Sequence, residues 1–184
     1  MSLRKTFEEL CDRLDDLFRA VDRLQKEARD KPAGDDVALA QILDRQADDL
    51  HGWLAEASGA AAAALQAVGP PVDLERARLS LLAAQEHCSA RFAETVSDVL
   101  SYDRLDEVRG VPLERGDKWR DWSEDVTEAL GACRERLDAL TQAFFLCWQE
   151  LSERVALGGV SVQATNIGQQ VMVPREEFVA EGSP

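Results

Sequence analysis

The amino-acid sequence predicts an all-α fold, an up-down-up-down bundle of four long amphipathic helices with a short C-terminal β-strand or hairpin arm. Three observations support this prediction. Apolar residues recur at steps of three and four along most of the chain, which is the spacing of one helix face. Proline and glycine stand at the ends of these periodic segments. Alternation with a period of two, typical of a strand, returns near the C-terminus.

The domain boundaries follow from the same patterns. We expect residues 1–159 to form the helical bundle and residues 160–184 to form a tail. Within the tail, residues 160–173 are an uncharged, β-prone segment, which we call the arm, and an acidic flexible end follows it. A chain of 184 residues is long enough for one domain with its own hydrophobic core.

The first helix is predicted from an unbroken heptad pattern. Its apolar stripe consists of Leu3, Phe7, Leu10, Leu14, Leu17, Val21, Leu24 and Ala28. Cys11 and Phe18 widen this stripe into a face that meets two neighbouring helices. We expect Ser2 or Thr6 to cap the start of the helix and Pro32 to end it.

The second helix is expected to begin after Asp35 or Asp36 and to run to about Val68, where the sequence Gly69 to Pro71 ends it. Its inward residues are predicted to be Leu39, Leu43, Ala47, Leu50, Leu54, Ala57, Ala61, Leu65 and Val68. Small residues in its second half allow a neighbouring helix to approach closely.

The third helix is predicted to start at Asp73 and to fray between Tyr102 and Val108. Its inward residues would be Leu74, Ala77, Leu81, Ala84, Cys88, Phe92, Val96 and Val99. Gly110 and Pro112 mark the loop that follows.

The fourth and longest helix is predicted to begin at Asp117 and to be closed by Gly158. Its inward residues would be Trp119, Trp122, Val126, Leu130, Cys133, Leu137, Leu140, Phe144, Cys147, Leu151 and Val155. We expect the two tryptophans to plug one end of the core. The alternative is a surface cation–π patch with Lys118 and Arg120.

The composition argues against several classes of function. The net charge of −14 disfavours nucleic-acid binding, which needs clustered Lys and Arg. The sequence has neither a run of about 18 apolar residues nor a charged-then-apolar leader, so we expect no membrane span and a cytoplasmic location. The cysteines are spread without a C-x-x-C pair, and only His51 and His87 are available as imidazole ligands. We therefore expect free thiols, no catalytic residue, no metal and no cofactor.

The arm is the candidate interaction site. Residues 155 to 174 contain no charged residue, in a chain where 30% of residues are charged. Val160 and Val162 alternate with polar residues, and Asn166 and Gly168 favour a turn before a second short strand. The predicted partner-binding residues are Val160, Val162, Gln163, Asn166, Ile167, Gln169, Gln170, Val171 and Val173.

An isolated two-stranded hairpin is only marginally stable in water, so something must cover or extend the arm. Three arrangements remain open: the arm packs on its own bundle, a partner adds strands to its edge, or arms of several copies stack on one another.

The sequence therefore predicts a non-enzymatic protein-interaction module, an adaptor or assembly subunit that uses the arm for strand addition or self-association. Its partner would be another protein or a second copy. The alternatives are an enzyme with a small-molecule site between the helices, or an acidic inhibitor or immunity-type protein. The enzyme would need charged groups on the inner helix faces, which the predicted stripes lack. The acidic-inhibitor alternative is supported only by the net charge of the chain.

Overall fold

The structure is a computed structural model that describes residues 2–33, 38–89, 95, 98–99, 101–111 and 115–157. These residues form five helices: α1 (Leu3–Arg29), α2 (Ala38–Ala67), α3 (Leu74–Ser89), α4 (Tyr102–Gly110) and α5 (Asp117–Leu157). They contain no strand, so a helical fold is confirmed for this part of the chain. The arm and the predicted boundary at residue 159 lie outside the described residues.

Helix α1 buries the whole heptad stripe that the sequence predicts. Ser2 is the N-cap, and its hydroxyl oxygen accepts the N–H of Lys5 at 3.4 Å. Thr6 lies inside the helix, where its hydroxyl donates to the Ser2 carbonyl at 3.2 Å. Phe18 departs from the prediction, because it is 37% exposed and lies against the His51 ring, with the centroids 4.7 Å apart. The buried stripe of α1 is therefore narrower than predicted at this point.

The connection between α2 and α3 is short and hydrogen-bonded. The N–H of Asp73 donates to the carbonyl of Ala67 at 2.8 Å, and the Asp73 carboxylate accepts the N–H of Arg76 at 2.9 Å. Asp73 thus caps α3, which begins at Leu74, one residue after the predicted start. The predicted inward residues of α2 are buried except Leu39 and Leu65, which are partly buried against the core.

The third predicted helix is wrong at its C-terminal end, where the sequence predicts fraying between Tyr102 and Val108. Residues 95, 98 and 99 are helical, but a separate helix, α4, begins at Tyr102. Ser101 has an extended backbone with ψ 154°, and its hydroxyl oxygen accepts the N–H of Arg104 at 3.2 Å. An extended N-cap residue cannot continue a preceding helix, so the chain breaks here. Among the predicted inward residues, Phe92 and Val96 lie outside the described residues.

Helix α1 runs antiparallel to α2. Near the end of α1, Arg29 Nε donates to Asp44 Oδ1 at 2.7 Å, close to the start of α2. Further back along α1, Phe18 meets His51, which lies further on in α2. Contacts in this opposite order along the two helices require antiparallel directions.

Helix α1 also runs antiparallel to α5, and so lies between α2 and α5. At one end, the indole N–H of Trp122 donates to the Glu27 carbonyl at 2.9 Å. At the other end, Cys147 Sγ donates to the Thr6 carbonyl at 3.4 Å. Trp119 packs edge-on against Trp122 with a centroid distance of 5.5 Å, and both tryptophans are buried. The prediction that they fill one end of the core is confirmed.

The remaining helices attach at the sides. Helix α3 packs along α2 and meets α5 where the indole N–H of Trp148 donates to Gln85 Oε1 at 2.6 Å. Helix α4 packs on α5, and the Arg134 guanidinium lies over the Tyr102 ring at 4.2 Å. Trp148 and Arg134 therefore mark two sides of α5 that other helices occupy.

Candidate functional site

Two depressions in the described surface are polar and open to solvent. One, of about 380 Å³, lies between α1 and α2 and is lined by Arg29, Gln41, Asp44, Arg45 and Asp48. Another, of about 300 Å³, lies at the start of α4 and is lined by Asp98, Ser101, Asp103, Arg104 and Glu107. Small-molecule sites are mostly apolar and bury most of their ligand. Neither depression has that character.

The described part of the chain contains neither a candidate metal site nor an activated thiol. No group of three or more His, Cys, Asp or Glu side chains is placed there to hold a metal ion. Burial raises the pKa of Cys88, Cys133 and Cys147 to about 12. The pKa of Cys11 is also raised, first by burial and then by the charges of neighbouring carboxylates such as Asp12. A raised pKa opposes formation of the thiolate, which is the nucleophilic form of cysteine.

The thiols differ in how far solvent reaches them. All four cysteines are free thiols, as the sequence predicts; Cys133 and Cys147 are buried, whereas Cys11 and Cys88 are half-buried. We predict that a thiol-reactive dye at neutral pH labels Cys133 and Cys147 only after denaturant is added. Mass spectrometry of peptides from the labelled protein identifies each position. Rapid labelling of either buried thiol in the native protein would contradict the described packing.

Two large apolar side chains, exposed on α5 well before its end, lie together on one uncharged stretch. Residues 139 to 149 contain no Asp, Glu, Lys or Arg. Their outward side chains, which we call the α5 strip, are Gln142, Phe145, Leu146 and Gln149. Phe145 is 68% exposed and Leu146 is 37% exposed. Positions separated by three and four residues share one face of a helix, so the strip is a continuous patch.

The outward direction of the strip is fixed by its buried neighbours. Phe144 and Cys147 are 8% and 0% exposed, and the Cys147 thiol is bonded to the Thr6 carbonyl of α1. Trp148 is held on another side by its bond to Gln85 of α3. With these side chains fixed against α1 and α3, Phe145 cannot turn into the core.

Sequence reasoning missed the strip because it followed the inward stripe of the fourth helix, which includes Phe144 but neither Phe145 nor Leu146. The signal was nevertheless present in the sequence. The run "FFL" lies within an uncharged stretch of an otherwise highly charged helix. A second and third large apolar residue beside a position already assigned to the core indicates an apolar outer face.

The predicted partner-binding residues, Val160 to Val173, lie beyond Leu157 and so outside the described residues. Their role stays a prediction. None of the described helices has both the length and the apolar character needed to cross a membrane. No protein-family model, curated protein or solved structure matches the chain.

Proposed function

We propose that the chain is a non-enzymatic, cytoplasmic protein-interaction module, an adaptor or assembly subunit. In this proposal the helices form an up-down-up-down bundle, and the arm binds a partner protein or a second copy by strand addition or self-association. The helical part serves as a rigid base, and the arm supplies unpaired main-chain N–H and C=O groups.

The end of helix α5, where the described residues stop, is the observation that carries the proposal. Helix α5 is anchored nearly to its end, because Leu151 and Val155 are 2% and 7% exposed. Leu157, its last residue, is 85% exposed. The uncharged segment therefore continues from a firmly held helix end that faces solvent. Such an attachment point suits a docking element.

The inner helix faces favour this proposal over an enzyme with a site between the helices. Among the described residues, the buried polar side chains are those of Thr6, Gln25, Gln85 and Ser123, and none carries a charge. Gln25 and Gln85 already bond to Asp48 and Trp148. A buried site for a charged substrate would need Arg, Lys or carboxylate groups at such positions.

Proline substitutions in the arm test the proposal. We predict that Val162→Pro with Val171→Pro abolishes association with partners or with other copies, because each proline removes one main-chain donor. Helical content and melting temperature should change little. Size-exclusion chromatography, co-purification and circular dichroism measure these effects. Val179→Pro, in the acidic end, is the matched control and should associate as the parent does.

Charged substitutions provide an independent test of the same proposal. Ile167→Asp with Val171→Asp should also abolish association, because a charge in a paired sheet is strongly unfavourable. If both variant pairs keep every partner and oligomeric form of the parent, the arm is not the docking element. If they unfold the whole protein, the arm belongs to the bundle's own fold.

A further inference from the structure

We propose that, before a partner binds, the arm folds back along α5 and covers the α5 strip at Phe145 and Leu146. This inference rests on the proposed function and adds its regulation: a partner must displace the arm from the strip before it can pair with the arm's main chain.

The strip lies within easy reach of the arm. Phe145 and Leu157 are separated by ~18 Å along the helix at a rise of about 1.5 Å per residue. An extended chain advances about 3.3 Å per residue, so about six residues return it to the level of Phe145. Arm residues from about Gln163 onward can then lie against the strip.

The strip and the arm match in their lack of charge. Asp138 and Glu150 bound the uncharged stretch of α5, and residues 155 to 174 are also uncharged. Exposed positions elsewhere on α1 and α5 are rich in charged residues, for example Asp12, Asp15 and Glu135. An arm covering those positions would desolvate charges, which is unfavourable without compensating partners. An arm covering the strip would desolvate two apolar side chains and two glutamine amides, one of which, Gln149, donates to Glu153 Oε1 at 3.3 Å.

Helix α2 offers a second uncharged surface, but a poorer one. Within α2, residues 57 to 67 carry no charge. Their exposed positions are Gly59, Ala62 and Gln66, and open space surrounds the site where a Cβ of Gly59 would stand. Val72, which is 58% exposed, lies beyond the end of α2, in the connection to α3. Apolar stabilisation scales with the area removed from water, so a large exposed phenylalanine offers more than glycine and alanine.

The size of the strip favours a tethered segment over a second copy of the strip. Specific interfaces between separate proteins bury about 800 Å² on each partner, whereas a fully covered aromatic side chain contributes only about 150 to 250 Å². The strip has one partly exposed phenylalanine and one less exposed leucine. Its area is too small for a stable strip-to-strip dimer. A segment of the same chain needs less area, because a short tether gives it a high effective concentration.

A photo-crosslinker tests the contact directly in the full chain. With p-benzoylphenylalanine in place of Phe145, irradiation should link that position to arm residues of the same molecule. Mixing isotopically labelled and unlabelled protein separates links within one copy from links between copies, and mass spectrometry maps them. The control places the crosslinker at Ile42 on α2, which is 39% exposed. Ile42 lies near the C-terminal end of α1, whereas the strip lies near its N-terminal end. We expect no link to the arm from there.

Links from position 145 only to another copy, or no links to the arm, would overturn the inference. So would equal linking to the arm from positions 42 and 145.

A second measurement follows the exposure of the arm. Phe145→Gln with Leu146→Gln should raise the rate of thermolysin cleavage within residues 160–173 about tenfold. This figure assumes that the arm of the parent is docked about nine-tenths of the time, and that the arm of the variant is always free. Circular dichroism should show unchanged helical content. Equal cleavage rates in parent and variant would contradict the docked arm.

The outcomes separate the inference from the proposed function. If the strip variant loses the association that the arm prolines also abolish, the strip is part of the partner interface. The inference then fails and the proposed function stands. If the arm prolines leave association intact, the proposed function fails, whatever the crosslinks show.

Discussion

Replacing Leu14 by alanine is expected to lower the free energy of unfolding by about 2 to 5 kcal/mol. Leu14 is 0% exposed at the centre of the buried stripe of α1. Because α1 lies between α2 and α5, a cavity at this position removes contacts from the helix that both neighbours share. Close-packed surroundings relax only partly, so the lost transfer free energy and the cavity add. Urea denaturation followed by circular dichroism measures the change.

Leu140→Ala on α5 should have an effect of the same size, since Leu140 is 1% exposed. Arg13→Ala is the matched control, one position from Leu14 on the outer face of α1. Arg13 pairs with Glu9 and Asp16 near the surface, and exposed pairs of this kind contribute about 0 to 1 kcal/mol. Equal losses at Leu14 and Arg13 would show that the buried stripe is wrongly assigned.

Helix positions could be predicted from the sequence wherever an apolar stripe is long and ends at a clear boundary. The stripe of α1 meets both conditions, and all its predicted members are buried. Helix α5 starts at Asp117 as predicted and runs for 41 residues. In both helices one face is buried along the whole length. The spacing of apolar residues in the sequence identifies that face, so the helix can be predicted from it.

The break before α4 could not be predicted in the same way. Val99 and Leu105 are both buried, so buried apolar residues occur on both sides of the break. The break depends on Ser101, whose side chain replaces a main-chain hydrogen-bond partner of Arg104. Serine also occurs inside helices, and the sequence does not distinguish an interior serine from a capping one.

Surface features were the least accessible to sequence reasoning. Periodicity identifies the face turned to the core, and it leaves apolar residues on the outer face unassigned. Phe18 was placed in the α1 stripe by its spacing, yet the structure exposes it beside His51. Phe145 was left out of the α5 stripe, and its exposure makes it the centre of the candidate surface. Both cases depend on how the neighbouring helices are placed, and the spacing of residues within one helix does not contain that information.

The buried thiols make a further prediction, that the protein loses stability as the pH rises above about 9. Burial raises the pKa of Cys133 and Cys147 from 9.0 to about 12 in the folded state. Between these values the unfolded chain releases protons that the folded protein retains. The free energy of unfolding therefore falls with pH in this window, while below the unfolded pKa the contribution of the thiols is fully present.

The expected loss is about 1 to 2 kcal/mol for each of these two thiols by about pH 10.5, since one pKa unit corresponds to about 1.4 kcal/mol. Urea denaturation at a series of pH values, under a thiol-free reductant, measures it. Cys133→Ala removes one titrating group, so its stability should fall less steeply with pH than that of the parent. The cavity that alanine leaves lowers stability at every pH, whereas thiol titration changes how steeply stability falls with pH. Comparing the slopes of stability against pH therefore separates the two effects. If Cys133→Ala and Cys147→Ala both keep the parent slope, the thiols are not held protonated by burial, and the packing of α5 against α1 at Cys147 is wrong.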